Sequence, residues 1–88
     1  MNQQLATISI LTTDRQASAQ ALNQLLSDAG HHILARLGLP LSPHCVAHCT
    51  GLLTVIVEAT ETEINDLVAK LNEIEEVRAQ MTFLTAVA

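Results

Sequence analysis

The sequence predicts a small α/β domain of the α+β type with a βαββαβ, ferredoxin-like layout: a four-stranded antiparallel sheet with two helices on one face. Three observations carry this. Two segments repeat apolar residues at helical spacing behind residues suited to helix capping. Four segments are β-branched or alternate apolar with polar residues. Their order along the chain is strand, helix, strand, strand, helix, strand. Two crossovers then flank one hairpin, and right-handed crossovers lay both helices on the same side of the sheet. The chain has 88 residues, so one domain over residues 1–88 is expected, with an ordered core of about 5–84.

The first strand is Leu5–Thr12, with Ala6, Ile8 and Ile10 on its core face and Leu5, Thr7, Ser9 and Leu11 on the other. Thr12 or Thr13 caps the helix that follows, with Asp14 in its first turn, where negative charge is favoured. That helix is Arg15–Ala29. Leu22, Leu25, Leu26 and Ala29 form its stripe, extended backward by Ala17 or Ser18, and Gly30 supplies a left-handed stop. His31–Gly38 reads as the second strand, with Ile33, Ala35 and Leu37 sharing a face opposite Leu34 and Arg36. Pro40 and Pro43 mark a loop.

A third strand is expected from about Cys45 to Ala59, with Gly51 as a bulge or bend near its middle. Thr60 with Glu63 forms a capping-box pattern, Thr62 being a rival cap. The second helix carries Ile64, Leu67, Val68 and Leu71 inward, and Asp66 can pair with Lys70. After a turn at Asn72–Glu76, Val77, Ala79, Met81 and Phe83 alternate with Arg78, Gln80 and Thr82 in a half-buried strand.

Such a sheet has one face without helices. Alternation places Thr7, Ser9, Leu11, His48, Thr50, Leu52, Thr54, Ile56, Arg78, Gln80 and Thr82 on it, unless a bulge shifts the register. The chain is 49% hydrophobic and 15% charged, against roughly 25% charged in ordinary soluble domains. Part of the surface is therefore apolar, and an intersubunit interface around Leu52, Thr54 and Ile56 is the expectation.

Net charge is −5, and the four bases, Arg15, Arg36, Lys70 and Arg78, form no cluster. Direct nucleic-acid binding calls for a basic face and is not expected. The Met1–Gln4 start has no basic run of a signal peptide. No apolar run approaches the twenty or so residues of a membrane helix. A cytoplasmic location follows as the default, with Cys45 and Cys49 as thiols.

The most conspicuous local pattern is His44-Cys45-x-x-His48-Cys49. Imidazoles and thiolates suit zinc, nickel or copper. On a regular strand, however, the histidines point one way and the cysteines the other. Four such ligands do not close on one ion, and cysteines buried as small apolar groups, with the histidines facing out, account for the pattern without a metal. A hairpin turning near Pro40–Leu41 would set His32 beside His48 with His44 close by, a constellation for a transition metal. Histidines that titrate at an interface are the alternative.

The Thr12–Arg15 turn joins a strand to a helix N-terminus, where free N–H groups hold anions. Thr13, Asp14 and Arg15, with Arg36, are the candidate ligand-binding residues; capping alone also accounts for Thr13 and Asp14. No Ser/His/Asp arrangement, Gly-rich phosphate loop or HExxH motif is present. His48 and Cys49, as strand neighbours, would point apart, so no catalytic pair is expected.

Several of these segments together resemble a known family. They are Thr13-Asp14-Arg15, Asn23-Gln24-Leu25-Leu26, Ile33–Pro40 with its Ile-Leu-x-Arg-x-Gly-x-Pro pattern, Leu53–Glu58, Ile64–Leu71, Ile74 and Val77-Arg78. Over about Thr7 to Phe83 the chain is similar to the iron-only hydrogenase system regulators, which have an ACT-like, ferredoxin-like fold. The resemblance implies a small, non-enzymatic regulatory or sensor domain that works as a homo-oligomer, a dimer or tetramer. By wider similarity, ACT domains bind amino acids between subunits, and the nickel-responsive repressor's related domain binds metal there through histidines and cysteine. Gln16 and Ala17 stand where ACT domains usually carry a glycine.

The resulting expectation is a regulatory domain binding a small effector or a protein partner at a subunit interface, without a cofactor. The alternatives are a metal sensor on His32, His44 and His48, or a purely structural assembly module.

Overall fold

The computed structural model describes residues 3–41 and 44–87. Its elements are β1 (Gln3–Thr12), α1 (Arg15–Asp28), a 3₁₀ turn (Gly30–His32), β2 (Ile33–Pro40), β3 (Gly51–Ala59), α2 (Glu61–Asn72) and β4 (Val77–Val87). The strands form one antiparallel sheet in the order β2-β3-β1-β4. This is the ferredoxin-like arrangement, with the first and third strands central and the ends of the two crossovers at the edges.

Alternation along the central strands decides which face is buried. Ala6, Ile8 and Ile10 of β1 and Val55 and Val57 of β3 are nearly inaccessible. They meet Leu22 and Leu26 of α1 and Ile64 and Leu71 of α2, with Leu67, Val68, Val77 and Met81 around the margin. With no large aromatic among the fully buried side chains, the core is a close packing of branched aliphatics.

Both helices start on side-chain caps. At α2 the Thr60 hydroxyl accepts from the Glu63 N–H at 3.2 Å and the Glu63 carboxylate accepts from the Thr60 N–H at 3.0 Å, the reciprocal capping box read from sequence. At α1 the cap is Asp14, not Thr12 or Thr13: its Oδ1 accepts from the Ala17 N–H at 3.1 Å. Its backbone (φ −146°, ψ 87°) is not helical, so it precedes the first turn instead of lying in it. Gly30 is not a left-handed stop, because no glycine has positive φ and Gly30 opens the 3₁₀ turn.

The largest departure from the sequence reading is the β2–β3 hairpin. Pro40 pairs with Gly51 and Arg36 with Val55, so opposed residues sum to 91 rather than to about 80–82. β2 begins two residues later than expected and runs through Pro40, an edge position where a missing N–H is tolerated. β3 begins at Gly51, and residues 45–50 are irregular loop, not strand. Gly51 is accordingly no mid-strand bulge. A Cβ there would lie 2.6 Å from Arg15 Cδ and 2.8 Å from Cγ, so its bare backbone makes room for the Arg15 stem. Part of the expected proline loop, Ser42 and Pro43, lies outside the described residues, as do Met1 and Asn2 of the chain start.

Two bulges do occur elsewhere. One between Ile33 and Ala35 inserts Leu34 into β2. It turns Arg36 and Gly38, opposite Val55 and Leu53, to the helix side, and Ala35, Leu37 and Leu39 to the open face. The expected grouping of Ile33 with Ala35 and Leu37 is therefore broken by one residue. The other, between Leu5 and Ala6 against β4, leaves Leu84 between the two registers.

Candidate functional site

The functional candidates gather where β1 runs into α1. Thr12 is buried, and its Oγ1 lies 2.8 Å from Ser18 Oγ. Ser18 donates its one hydroxyl proton to the Asp14 carbonyl at 2.8 Å, so Thr12 is the donor to Ser18. Thr13 is held by Glu76: its N–H donates to the Glu76 carbonyl at 3.0 Å, and its hydroxyl donates to the Glu76 carboxylate. Asp14 is held by His48, with Oδ2 2.6 Å from Nδ1. Glu76 (φ 68°) and His48 (φ 52°) are the non-glycine residues in the left-handed region among the described residues. Both of these uncommon conformations anchor the same strand-to-helix junction.

The charges in this pair reinforce one another. The hydrogen bond that His48 donates to the Asp14 carboxylate raises the imidazole above its ordinary value, with the carboxylate's charge adding to the effect. Asp14 is lowered, first by His48 and then by the Ala17 N–H it caps. His48 itself is largely open to solvent, whereas the Asp14 side chain is mostly covered.

Beside this junction a cleft of about 280 Å³ opens between α1 and the end of the β2–β3 ribbon. It exists because the helices do not extend over β2, which is exposed along nearly its whole length. Ile10, Leu22 and Leu53 give it an apolar base, and Arg15, Ser18 and Asn23 give it a polar wall. Arg15 Nε is buried there without a hydrogen-bond partner. Arg36 reaches the same wall, its Nη2 donating to Asn23 Oδ1 at 3.5 Å. Leu39 and Leu52 line the cleft and are register partners whose side chains belong to the open sheet face.

The loop before β3 closes the junction from the other side. Cys45 and Cys49 form a disulfide, with Cα atoms 5.8 Å apart. This corrects the thiol expectation. An extended strand would keep the two sulfurs on one side but out of reach; the actual loop curls and joins them. Cys49 is buried and stitched to α1: its carbonyl accepts from the Arg15 N–H at 2.7 Å, and its N–H donates to Gln16 Oε1 at 3.1 Å.

The family model described as "TM1266-like: Iron-only hydrogenase system regulator, putative" matches residues 4–81. The chain belongs to the TM1266-like family. A solved structure of an uncharacterized protein, TM1266 from Thermotoga maritima, has the same fold: TM-score 0.84 at 23% identity, covering 94% of this chain and 99% of that one. No curated protein matches the chain. The family match runs from β1 into β4, so the β1–α1 junction, the β2–β3 loop and the cleft all lie within the matched span.

Of the ligand-binding candidates, Arg15 and Arg36 flank the cleft, while Thr13 and Asp14 are engaged by Glu76 and His48. The three-histidine constellation does not assemble. With the hairpin turning in the 41–50 loop, His32 lies at the other end of the molecule, 3.0 Å from Glu63, while His48 is bound to Asp14 and His44 sits in the loop. Among the described residues, no group of three or more His, Cys, Asp or Glu side chains is placed to hold a metal ion. Leu52, Thr54 and Ile56 occupy the open face opposite Leu39, Leu37 and Ala35, whereas His48 and Thr50, expected there too, belong to the loop.

Sequence reasoning missed Asn23, Gln16 and the outward turn of Leu37 and Leu39. Asn23 was discoverable: it lies eight residues after Arg15, two turns along the same helix face. The leucines were not, because their orientation depends on the Leu34 bulge.

Proposed function

We propose that this TM1266-like protein is a non-catalytic regulatory domain of an iron-only hydrogenase system that works as a homo-oligomer. It binds a small effector with an apolar body and an anionic group in the cleft beside Arg15 and Arg36. The carrying observation is the helix-free sheet face. Leu37 and Leu39 are 65% and 50% exposed there, with Ile56 at 36% beside them. Leu11, Leu52 and Thr54 continue the patch across β1 and β3. An apolar patch on a regular sheet is covered most simply by the same patch on a second copy, related by a twofold axis.

The cleft supports the second half of the reading. Leu39 and Leu52 border the cleft and turn to the open face, which sets the cleft beside the surface a second subunit would meet. The unpaired Arg15 Nε and the neighbouring Arg36 guanidinium suit a carboxylate or similar anion. The family description as a regulator supports a role without catalysis. A metal sensor on His32, His44 and His48 is disfavoured, because His32 is far from the other two. Among the described residues no helix is long and apolar enough to cross a membrane. A cytoplasmic site of action is part of the proposal.

Light scattering on the purified chain tests the assembly. A dimer or tetramer at micromolar concentration is expected, and Ile56→Asp or Leu52→Asp is expected to give a folded monomer by circular dichroism. A wild-type monomer sinks the reading. Thermal-shift screening with free amino acids and small carboxylates tests the cleft, and a ligand whose stabilisation survives Arg15→Ala does not bind as proposed.

A further inference from the structure

We propose that Cys45 and Cys49 form a reversible thiol–disulfide exchange site for low-molecular-weight thiols, with Cys45 the sulfur attacked and Cys49 the thiolate released. The bond closes a loop only four residues in sequence separation. Such a short loop constrains the unfolded chain little, so the bond adds little to stability and reduction leaves the fold intact.

The two sulfurs have different surroundings, which sets the direction of attack. Cys45 is half-exposed on the loop, whereas Cys49 is 1% exposed against α1. Gln16 Nε2 donates toward Cys49 Sγ at 3.4 Å, and Cys49 lies at the N-terminus of α1, with its carbonyl on the Arg15 N–H. A donor and the positive end of a helix both stabilise a thiolate. Cys45 Sγ lies 3.0 Å from the Ala47 carbonyl, an acceptor that favours the protonated thiol once the bond is broken. The sulfur with the better-stabilised anion is the better leaving group.

The exchange balances in two steps. A glutathione thiolate attacks Cys45 Sγ, the S–S bond breaks, and Cys49 departs with the electron pair. A second glutathione thiolate attacks the glutathione sulfur of the mixed disulfide, Cys45 leaves with the electron pair as oxidised glutathione forms, and the two cysteine thiolates take up two protons. The reverse uses oxidised glutathione as the oxidant. Because Cys49 also holds the Arg15 N–H and the Gln16 side chain, reduction loosens the first turn of α1 next to the cleft.

The exchange depends on the loop's own geometry and not on the regulatory reading, so either can fail alone. The test equilibrates the full-length chain with mixtures of reduced and oxidised glutathione, quenches with acid, and counts alkylated cysteines by intact mass. A single transition between zero and two alkylated cysteines is expected. Two free thiols in oxidised glutathione alone, or an unreduced bond in reduced glutathione alone, overturns the proposal.

The single-cysteine variants test the polarity, with circular dichroism confirming their fold. Access outweighs thiolate character in these variants, because oxidised glutathione reaches the partly exposed Cys45 but not the 1%-exposed Cys49: Cys49→Ser is expected to take a glutathione adduct on Cys45 about tenfold faster than Cys45→Ser takes one on Cys49. Equal or reversed rates overturn the assignment of roles. Hydrogen exchange at the Arg15 amide is expected to quicken on reduction, and an unchanged rate overturns the coupling to α1.

Discussion

At the β1–α1 junction each of two consecutive residues is gripped by a side chain from a distant part of the chain. Glu76 holds Thr13 and His48 holds Asp14. The second contact gives a pH dependence whose sign is fixed by the direction of each shift. His48 is raised from 6.5, so its contribution is fully present below that value and is lost as pH rises through the higher folded value. Asp14 is lowered from 3.8, so its contribution is present above that value and is lost as pH falls through the lower folded one. The contact therefore stabilises the fold most between about pH 4 and 6.5. Arg15 and Glu76 are the charged neighbours along the junction. His48→Ala is expected to lower the melting temperature more at pH 5.5 than at pH 8.5; an equal loss at both values contradicts the ion-pair reading. Thr60 offers a contrast without titration of its own. Thr60→Ala removes one arm of the α2 capping box and is expected to cost about 1 kcal/mol in urea unfolding.

Among the elements, those whose faces differ in burial were legible in the sequence. β1, α1, α2 and β4 each set a buried row against a solvated one, and the rows read from spacing are the rows that pack: Ile8 with Ile10, Leu22 with Leu26, Ile64 with Leu71. β2 carried no such signal. Neither of its faces is covered by a helix, so Leu34, Leu37 and Leu39 are all exposed and alternation says nothing about register. Where its hairpin turns is decided by pairing with β3 and by the fit of Gly51 under Arg15, both long-range. The misplaced turn then carried the histidines and cysteines with it. The edge at β4 illustrates a second property invisible in periodicity. Asn72 donates to the Ala79 carbonyl at 2.9 Å and accepts from the Ala79 N–H at 2.8 Å, occupying backbone groups that an edge strand would offer to another chain. Asn72→Ala is expected to cost about 1–2 kcal/mol and to increase aggregation on heating. An unchanged unfolding midpoint would mean that water satisfies Ala79 equally well.

For the whole molecule the deciding quantity is how much surface a chain of 88 residues can bury alone. The helices cover one face of the sheet, and small domains remove a smaller share of their surface from water than large ones. With one edge of the sheet partly occupied by Asn72, the open face is the larger unsatisfied apolar surface. Each leucine or isoleucine fully covered there contributes about 1.5–3 kcal/mol, so a few such side chains per subunit rival the entire stability of a marginal domain. Folding and assembly are then coupled by mass action, and stability depends on protein concentration. The melting temperature of the wild-type chain is expected to rise steadily across a hundredfold increase in concentration. Ile56→Asp, which leaves the core side of β3 untouched, should melt at a lower and concentration-independent temperature. A wild-type melting temperature that is flat over that range would show that the open face stays wet, and that the leucines of β2 answer to something other than a second copy of this chain.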